Sequence, residues 1–306
     1  MAGNAPRMEL EADTSEPRPQ RRGLKKGLYL LPSTFTAANI AMGFYAVMGA
    51  LRGFQLLHGG GGAAGEIELA GAYFSNAAMA ICWAFLFDTL DGRIARMTKT
   101  TTEIGVQLDS IADVLTFGIA PAVLAYAWGY GAALGDEDPL HKLGWFVSFM
   151  FVICGAFRLA RFNVQATRPR PLQEGTVKVD KKSFVGLPIP AAAGLIASII
   201  HFQQTPLVAS SYGADLSRLY SGLLMALVAI LSALMVSTIR YSSFKTVGTA
   251  RRGARLVILF VASIGMLIWL FSRYVLLILF AGYVVHGLVF RLASLFRRRA
   301  TPESAA

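Results

Sequence analysis

The chain contains eight apolar stretches, and each is close to the length that an α-helix needs to cross a lipid bilayer. About 20 consecutive apolar residues span a hydrocarbon layer of about 30 Å. The stretches cover residues 31–51, 69–90, 105–128, 144–163, 184–202, 218–238, 254–272 and 274–293. Only 15% of the 306 residues are charged, against about 25% in soluble domains. The sequence therefore predicts an all-α polytopic membrane protein with about eight transmembrane helices.

The distribution of basic residues predicts the orientation of these helices. Of the 29 lysines and arginines, 25 lie in the two termini and in alternate connections, on one side of the predicted membrane. Because basic residues beside spans stay in the cytoplasm, both termini are expected to be cytoplasmic. The same distribution explains the net charge of +11 without a nucleic-acid partner. Residues 1–27 are polar and rich in proline, and they are expected to form a disordered cytoplasmic tail.

Four aspartates lie where the second and third predicted spans meet. Asp88 and Asp91 are three residues apart, and Asp109 and Asp113 are four apart, so each pair shares one face of its helix. A short connection makes the two spans antiparallel neighbours, and we expect all four carboxylates to converge near the cytoplasmic face. Carboxylate oxygens prefer Mg²⁺ or Mn²⁺ to zinc or copper. Four of them suit two divalent ions about 3.5 to 4 Å apart, an arrangement used in phosphoryl transfer.

The aspartates could also serve a purpose other than metal binding. The carboxylates could pair with Arg93, Arg96 and Lys99 at a helix end, or they could belong to a cation- or proton-coupled transporter. Transporter sites lie near the bilayer midplane, whereas these aspartates lie at the ends of spans. Ionisable side chains within membrane segments are rare and usually mark a functional site. Four aspartates are also more than the ion pairs at a helix end would need. The pattern therefore favours a metal site.

The aspartates belong to a longer pattern with fixed spacing. It reads Asp88-x2-Asp91-Gly92-x2-Ala95-Arg96-x8-Gly105-x3-Asp109-x3-Asp113. This pattern resembles the complete signature of the CDP-alcohol phosphatidyltransferase family. The resemblance implies a core of six membrane helices, usually a homodimer, that moves a phosphatidyl group from a CDP-linked lipid to an alcohol and releases CMP. It also implies that the four aspartates bind the metal and that Asp113 is in addition the general base.

Further residues are expected to contact CDP or its diphosphate. They are Asn39, Asp88, Gly92, Ala95, Arg96 and Gly105. The glycines and the alanine let a flat or phosphorylated ligand approach the backbone closely, although small residues also serve close helix packing. Asn39 is an amide within the first span, and a hydrogen bond between helices explains it equally well.

Other segments resemble one branch of this family, the type II, membrane-integral phosphatidylserine synthases. These segments are residues 31–44, 113–122, 157–163, 184–194 and 235–245. The branch implies CDP-diacylglycerol and L-serine as substrates; the alternatives are choline, a polyol phosphate or an ether-lipid donor. Ser33 departs from this branch, which leads us to expect asparagine there. L-Serine has a carboxylate that most rival acceptors lack, and Arg158 and Arg161 are candidates to bind it or a lipid phosphate.

The expected organisation follows from these segments. Residues 28–245 are expected to form the catalytic membrane domain, residues 246–296 two additional C-terminal helices, and residues 297–306 a second cytoplasmic tail. By resemblance, the protein is expected in a bacterial cytoplasmic membrane with its active site on the cytoplasmic side. An inactive scaffold is disfavoured because no aspartate of the pattern is missing.

Overall fold

Long apolar helices make up nearly all of the structure. The computed structural model describes residues 22–59, 63–98, 103–134, 137–167, 183–209, 214–242 and 253–299. The helices are α1 (Arg22–Gly59), α2 (Ala64–Thr98), α3 (Glu103–Asp113), α4 (Ala120–Ala125), α5 (Gly131–Ala133), α6 (Pro139–Thr167), α7 (Ile189–Gln203), α8 (Ala214–Val236) and α9 (Gly253–Arg299). Two short strands, β1 (Ser183–Val185) and β2 (Arg240–Ser242), pair antiparallel.

Several helical segments are suited to cross a membrane. Within the described residues, six are long and apolar enough: Thr34–Gly59, Ala64–Arg93, Ile104–Ala133, Pro139–Val164, Asp215–Val236 and Gly265–Val289. Large apolar side chains stay exposed on these segments, for example Phe44 and Trp145, each 67% exposed, as expected of surfaces that face lipid. The prediction of an all-α integral membrane protein is therefore confirmed, whereas the count of eight spans stays a prediction.

Two predicted boundaries differ from the structure. α1 begins at Arg22, so residues 22–27 are helical and do not belong to the predicted tail; leucine and lysine there are good helix formers. The fifth predicted span, residues 184–202, begins within strand β1, and α7 starts only after Pro188, because proline disrupts a helix interior. α7 has 15 residues and is about 22 Å long, too short to cross a bilayer alone. Residues 1–21 and 300–306 lie outside the described residues.

The C-terminal part of the chain is one long helical element with a break. α9 has 47 residues, and the backbone of Phe271 is not helical, with φ −133° and ψ 43°. The sequence predicted two spans joined at Arg273, two residues after the observed break. A straight helix of this length would measure about 70 Å, more than twice the hydrocarbon layer, so the break divides it into two segments of usable length.

The third span departs from regular α-helix geometry directly after Asp113. A π-helical turn covers Val114–Ile119, and a second one covers Tyr126–Tyr130. Pro121 follows the first turn at the start of α4, and its missing N–H leaves a carbonyl of the preceding turn without its usual intrahelical donor. Wider turns of this kind occur frequently at functional sites. Here the first one begins at the residue after the last aspartate of the motif.

Close packing places α1 against this irregular span. Gly43 of α1 lies against Thr116, and a Cβ atom added to Gly43 would come within 2.9 Å of the Thr116 Cα atom. Small residues allow membrane helices to approach in this way. The Thr116 hydroxyl also donates a hydrogen bond of 3.1 Å to the carbonyl oxygen of Asn39. The contact therefore fixes the height of Asn39 beside the motif aspartates.

Candidate active site

Three of the four motif aspartates form a compact cluster. Asp88 of α2 and the two aspartates of α3, Asp109 and Asp113, each place one carboxylate oxygen within 4.8 Å of the others. Asp113 is buried, and Asp88 and Asp109 are half-buried. The sequence predicted that the ends of the second and third spans meet, and the structure brings these side chains together there.

The fourth aspartate, Asp91, lies at the edge of this cluster. Its carboxylate is buried, with 6% of the residue exposed, and it interacts electrostatically with Asp88 and Asp109. The Thr36 hydroxyl of α1 donates a hydrogen bond to Asp91 Oδ2. Asp91 is therefore held by α1, whereas the other three aspartates face one another across α2 and α3.

Asn39 of α1 lies beside Asp113 at the inner end of the cluster. Its residue surface is only 1% exposed, and its amide approaches the Asp113 carboxylate. Within the described residues, neither amide atom of Asn39 nor Asp113 Oδ1 has a hydrogen-bond partner. Buried polar atoms without partners are costly and uncommon in native structures. Their presence together indicates a place where a ligand completes the hydrogen bonding or coordination.

The donor set fits a hard divalent cation. Like-charged carboxylates within 4.8 Å of one another repel strongly in a partly dehydrated environment unless a cation neutralises them. Oxygen donors without histidine or cysteine select Mg²⁺ or Mn²⁺. Of the basic residues that could pair with the carboxylates instead, Arg93 is exposed, and the side chains of Arg96 and Lys99 lie outside the described residues.

Among the residues that the structure describes, one arginine within the bundle, Arg158, lies close to the aspartate cluster. Arg158 of α6 is half-buried and interacts electrostatically with Asp113. Its Nε atom is buried and, within the described part of the chain, has no hydrogen-bond partner. Arg161, one turn further along α6, is exposed. The structure therefore separates the two arginines that the sequence grouped together, and it assigns the position beside the aspartates to Arg158.

The remaining candidates lie at the surface or outside the described side chains. Gly92 and Gly105 are exposed, on the segments that flank the connection between α2 and α3. The side chains of Ala95 and Arg96 lie outside the described residues, so their predicted contacts with CDP stay predictions.

Two contacts at the site were not predicted from the sequence. Thr36 binds Asp91 as described, and Asn163 of α6 donates a hydrogen bond of 2.7 Å to the hydroxyl of Ser110, the residue after Asp109. Thr36 could have been recognised, because it lies one turn before Asn39 in the first span. The contact of Asn163 depends on how α6 packs on α3, which no local pattern reveals.

Comparison with known proteins agrees with this site. The sequence pattern of the CDP-alcohol phosphatidyltransferase family matches residues 29–214, and the chain belongs to that family. Relatives named CDP-diacylglycerol–serine O-phosphatidyltransferase are similar to it. That of Helicobacter pylori is 32% identical over 270 residues, which cover 86% of this chain and 91% of the relative. Those of Methanocaldococcus jannaschii and Saccharomyces cerevisiae are 31% and 35% identical, each over 173 residues, or 56% of this chain. The matched residues cover 67% of the Methanocaldococcus jannaschii protein and 54% of the Saccharomyces cerevisiae protein.

Proposed function

We propose that the protein transfers the phosphatidyl group of CDP-diacylglycerol to the hydroxyl of L-serine, which gives phosphatidylserine and CMP. The observation that carries the proposal is the cluster of Asp88, Asp109 and Asp113 in a chain of this family. The choice of L-serine is supported by relatives whose names specify it, one of which is similar over 86% of this chain.

The aspartates would hold two divalent ions, Mg²⁺ or Mn²⁺, in this proposal. Asp88, Asp109 and Asp113 offer oxygens close enough to share an ion. Asp91 would contribute to the site from its edge, with its orientation set by Thr36. When bound, such ions neutralise the diphosphate and stabilise the charge that develops on the leaving group.

Asp113 would act as the general base in this proposal. The serine hydroxyl oxygen attacks the phosphorus that carries diacylglycerol, the bond from that phosphorus to the oxygen of CMP breaks, and the hydroxyl proton passes to Asp113. An alcohol must lose its proton near the transition state, and a carboxylate within hydrogen-bond reach accepts it efficiently. The buried Oδ1 atom of Asp113, which lacks a described partner, is the atom to which we assign this role.

The other site residues are assigned to binding. Asn39 would contact CDP through its buried amide, together with Gly92, Ala95, Arg96 and Gly105 around the turn that follows α2. Arg158 would bind the carboxylate of serine, because a planar guanidinium fork matches a carboxylate. Arg161 is exposed and would contact a lipid phosphate.

The cellular arrangement is also part of the proposal. The carboxylate end of the bundle would face the cytoplasm, since the basic residues of the sequence cluster on that side. The protein would function as a homodimer in a bacterial cytoplasmic membrane. Residues 28–245 would form the catalytic domain, followed by two C-terminal helices in residues 246–296.

The direct test is an assay of CMP release with a panel of acceptors. Detergent-purified protein is given CDP-diacylglycerol and Mn²⁺ or Mg²⁺, with L-serine, choline, inositol, glycerol 3-phosphate or no acceptor. We expect release that depends on L-serine. Release with another acceptor alone would retain the chemistry and refute serine, whereas no release with any acceptor would refute the proposed activity.

The hydrogen bond from Thr36 to Asp91 supports a separate prediction. Thr36→Val keeps the shape of the side chain but removes the donor, so Asp91 loses its fixed orientation. Loss of a hydrogen bond to a metal ligand weakens metal affinity and activity about tenfold or more. We therefore expect the rate of CMP release and the affinity for Mn²⁺ to fall about tenfold. Mn²⁺ binding is measured by electron paramagnetic resonance.

Thr89→Val is the matched control for this change. Thr89 lies beside Asp88, but its hydroxyl donates a 2.8 Å hydrogen bond to the carbonyl oxygen of Phe85 in its own helix. Loss of the Thr89 hydroxyl is expected to leave the affinity for Mn²⁺ near that of the wild type. Equal effects of the two substitutions would contradict the role given to Thr36.

A further inference from the structure

α3 carries two of the three clustered aspartates, but it buries little of its own surface. It has 11 residues, and from Ile104 onward only Ala112 and Asp113 are buried. Apolar side chains on its other faces stay exposed, among them Ile104 at 81% and Ile111 at 56%. Apolar packing therefore does little to fix the rotation of α3, on which the positions of Asp109 and Asp113 both depend.

The backbone that follows α3 does not continue its regular geometry. A π-helical turn begins at Val114, directly after Asp113. The hydrogen bonds of such a turn join residues five apart instead of four, so the turn changes the angle between the residues on its two sides. The buried position of α4 therefore does not by itself determine which way α3 faces.

Asn163 of α6 makes a polar contact with α3 at this place. Its side-chain amide donates a hydrogen bond of 2.7 Å to the hydroxyl oxygen of Ser110. The same hydroxyl donates a hydrogen bond of 3.0 Å to the carbonyl oxygen of Val106, one turn earlier in α3. Ser110 thus uses its hydrogen within its own helix and its oxygen for α6. The contact ties α6 to the residue that directly follows Asp109.

α6 is a suitable anchor because it also contacts the rest of the third span. Near the start of α6, the hydroxyls of Ser148 and Tyr130 form a hydrogen bond of 2.6 Å. Further along, an added Cβ atom at Gly118 would lie 3.9 Å from the Val152 Cγ1 atom. Residue numbers rise along α6 as they fall along the third span, so the two are antiparallel neighbours. The amide contact with α3 continues this series toward the aspartates.

We propose that Asn163 is a positioning residue for the metal site: through Ser110 it fixes the rotation of α3 and directs the two α3 carboxylates toward Asp88. The inference rests on the proposed function, because the cations that these carboxylates would bind are part of that proposal. Binding groups must be held within about 0.5 Å of their working positions, and a rotation of α3 would displace both of its aspartates together.

The test is a titration of full-length, metal-free protein with Mn²⁺, followed by electron paramagnetic resonance. Asn163→Ala removes the donor and Ser110→Ala removes the acceptor, so each change breaks the same hydrogen bond. We expect each to raise the Kd for Mn²⁺ about fivefold, less than the loss of a hydrogen bond made directly to a metal ligand. The double variant is expected to match the single ones, whereas independent effects would multiply to about 25-fold.

Two further variants separate positioning from a general loss of stability. Ser110→Thr keeps the hydroxyl, which a helical threonine can also direct to the carbonyl one turn earlier, and its Kd for Mn²⁺ is expected to stay near that of the wild type. Ser148→Ala is the matched control, because it removes a hydrogen bond between α6 and the third span about 22 Å further from the aspartates. Its Kd for Mn²⁺ is expected to be unchanged.

Partial loss of folded protein does not affect this comparison. Unfolded chains lower the number of Mn²⁺ ions bound per chain, whereas the Kd describes the chains that remain folded. The number of sites and the Kd are both obtained from the same titration.

Any of four results would overturn the inference. An unchanged Kd in Asn163→Ala would show that the contact has no role at the metal site. Multiplied effects in the double variant would show that Asn163 and Ser110 act separately. Equal weakening in Ser148→Ala would indicate a general loosening of the bundle. Absence of Mn²⁺ binding by the wild type would refute the metal site and this inference with it.

Failure of the proposed activity is measured separately. In that case wild-type protein would release no CMP with L-serine, whatever the Kd for Mn²⁺ of the wild type and the variants. Failure of the present inference alone would leave serine-dependent release intact in the wild type and the Kd of Asn163→Ala unchanged.

Discussion

Asp113→Asn is expected to reduce serine-dependent release of CMP by about 10³-fold, within the range that a general base contributes. Asparagine has nearly the same shape, but its amide cannot accept the proton of the attacking hydroxyl. It also removes one negative charge from the three-carboxylate cluster. Because Asp113 is buried beside Asn39 and Arg158, water is poorly placed to substitute for it. The measurement is the initial rate of CMP formation at saturating L-serine and CDP-diacylglycerol.

Asp138→Asn is the control for this loss. Asp138 forms an ion pair of 2.8 Å with Arg218 and precedes α6, at the opposite end of the bundle from the motif aspartates. Its substitution removes a carboxylate that is not part of the cluster, and the rate is expected to stay near that of the wild type. A rate for Asp113→Asn above about one tenth of the wild-type value would rule out a general-base role.

Much of the site could be predicted from the sequence because its signals are local. Asp109 and Asp113 are one helical turn apart, so their shared face follows from helix geometry alone. Asp88 lies near them because the connection between α2 and α3 is short, which makes the end of α2 and the start of α3 neighbours. The same local reasoning identified Asn39 as a polar group in an apolar span.

Other features depend on how distant helices pack, and local spacing does not reveal them. Arg158 and Arg161 lie three residues apart on α6, yet only the half-buried Arg158 lies near Asp113, and Arg161 is exposed. Which arginine faces inward depends on the rotation of α6 against α3, and the Asn163 to Ser110 contact reflects that rotation.

Backbone irregularities were also beyond a reading of hydropathy. The π-helical turn at Val114–Ile119 lies within an apolar stretch of ordinary composition. The break at Phe271 differs, because it lies two residues from the junction at Arg273 that the sequence predicted between two spans. Proline does give a local signal: Pro121 is the second residue of α4, directly after the first π-helical turn, and Pro188 directly precedes α7. Hydropathy measures whether a segment prefers lipid, and it contains little information on where a helix widens or bends.

Removal of divalent cations is expected to abolish the activity altogether. Carboxylate oxygens of Asp88, Asp109 and Asp113 lie within 4.8 Å of one another, so without a cation these side chains would repel one another. They would also repel a diphosphate, which is itself an anion. Protein treated with EDTA and then freed of chelator is expected to release no CMP above background. Addition of Mn²⁺ or Mg²⁺ is expected to restore release, whereas Ca²⁺ fits less well because it favours more ligands at longer distances.

Binding of Mn²⁺ gives a measurement of the same site that does not depend on turnover. Electron paramagnetic resonance of the metal-free protein titrated with Mn²⁺ is expected to detect about two bound ions per chain. Asp109→Asn is expected to weaken at least one of them about tenfold or more, because it replaces a charged ligand with a neutral amide. Asp138→Asn should leave both unchanged, since its carboxylate is paired with Arg218 away from the cluster. Activity that persists in metal-free protein, or Mn²⁺ binding that is insensitive to Asp109→Asn, would refute the assignment of these aspartates as metal ligands.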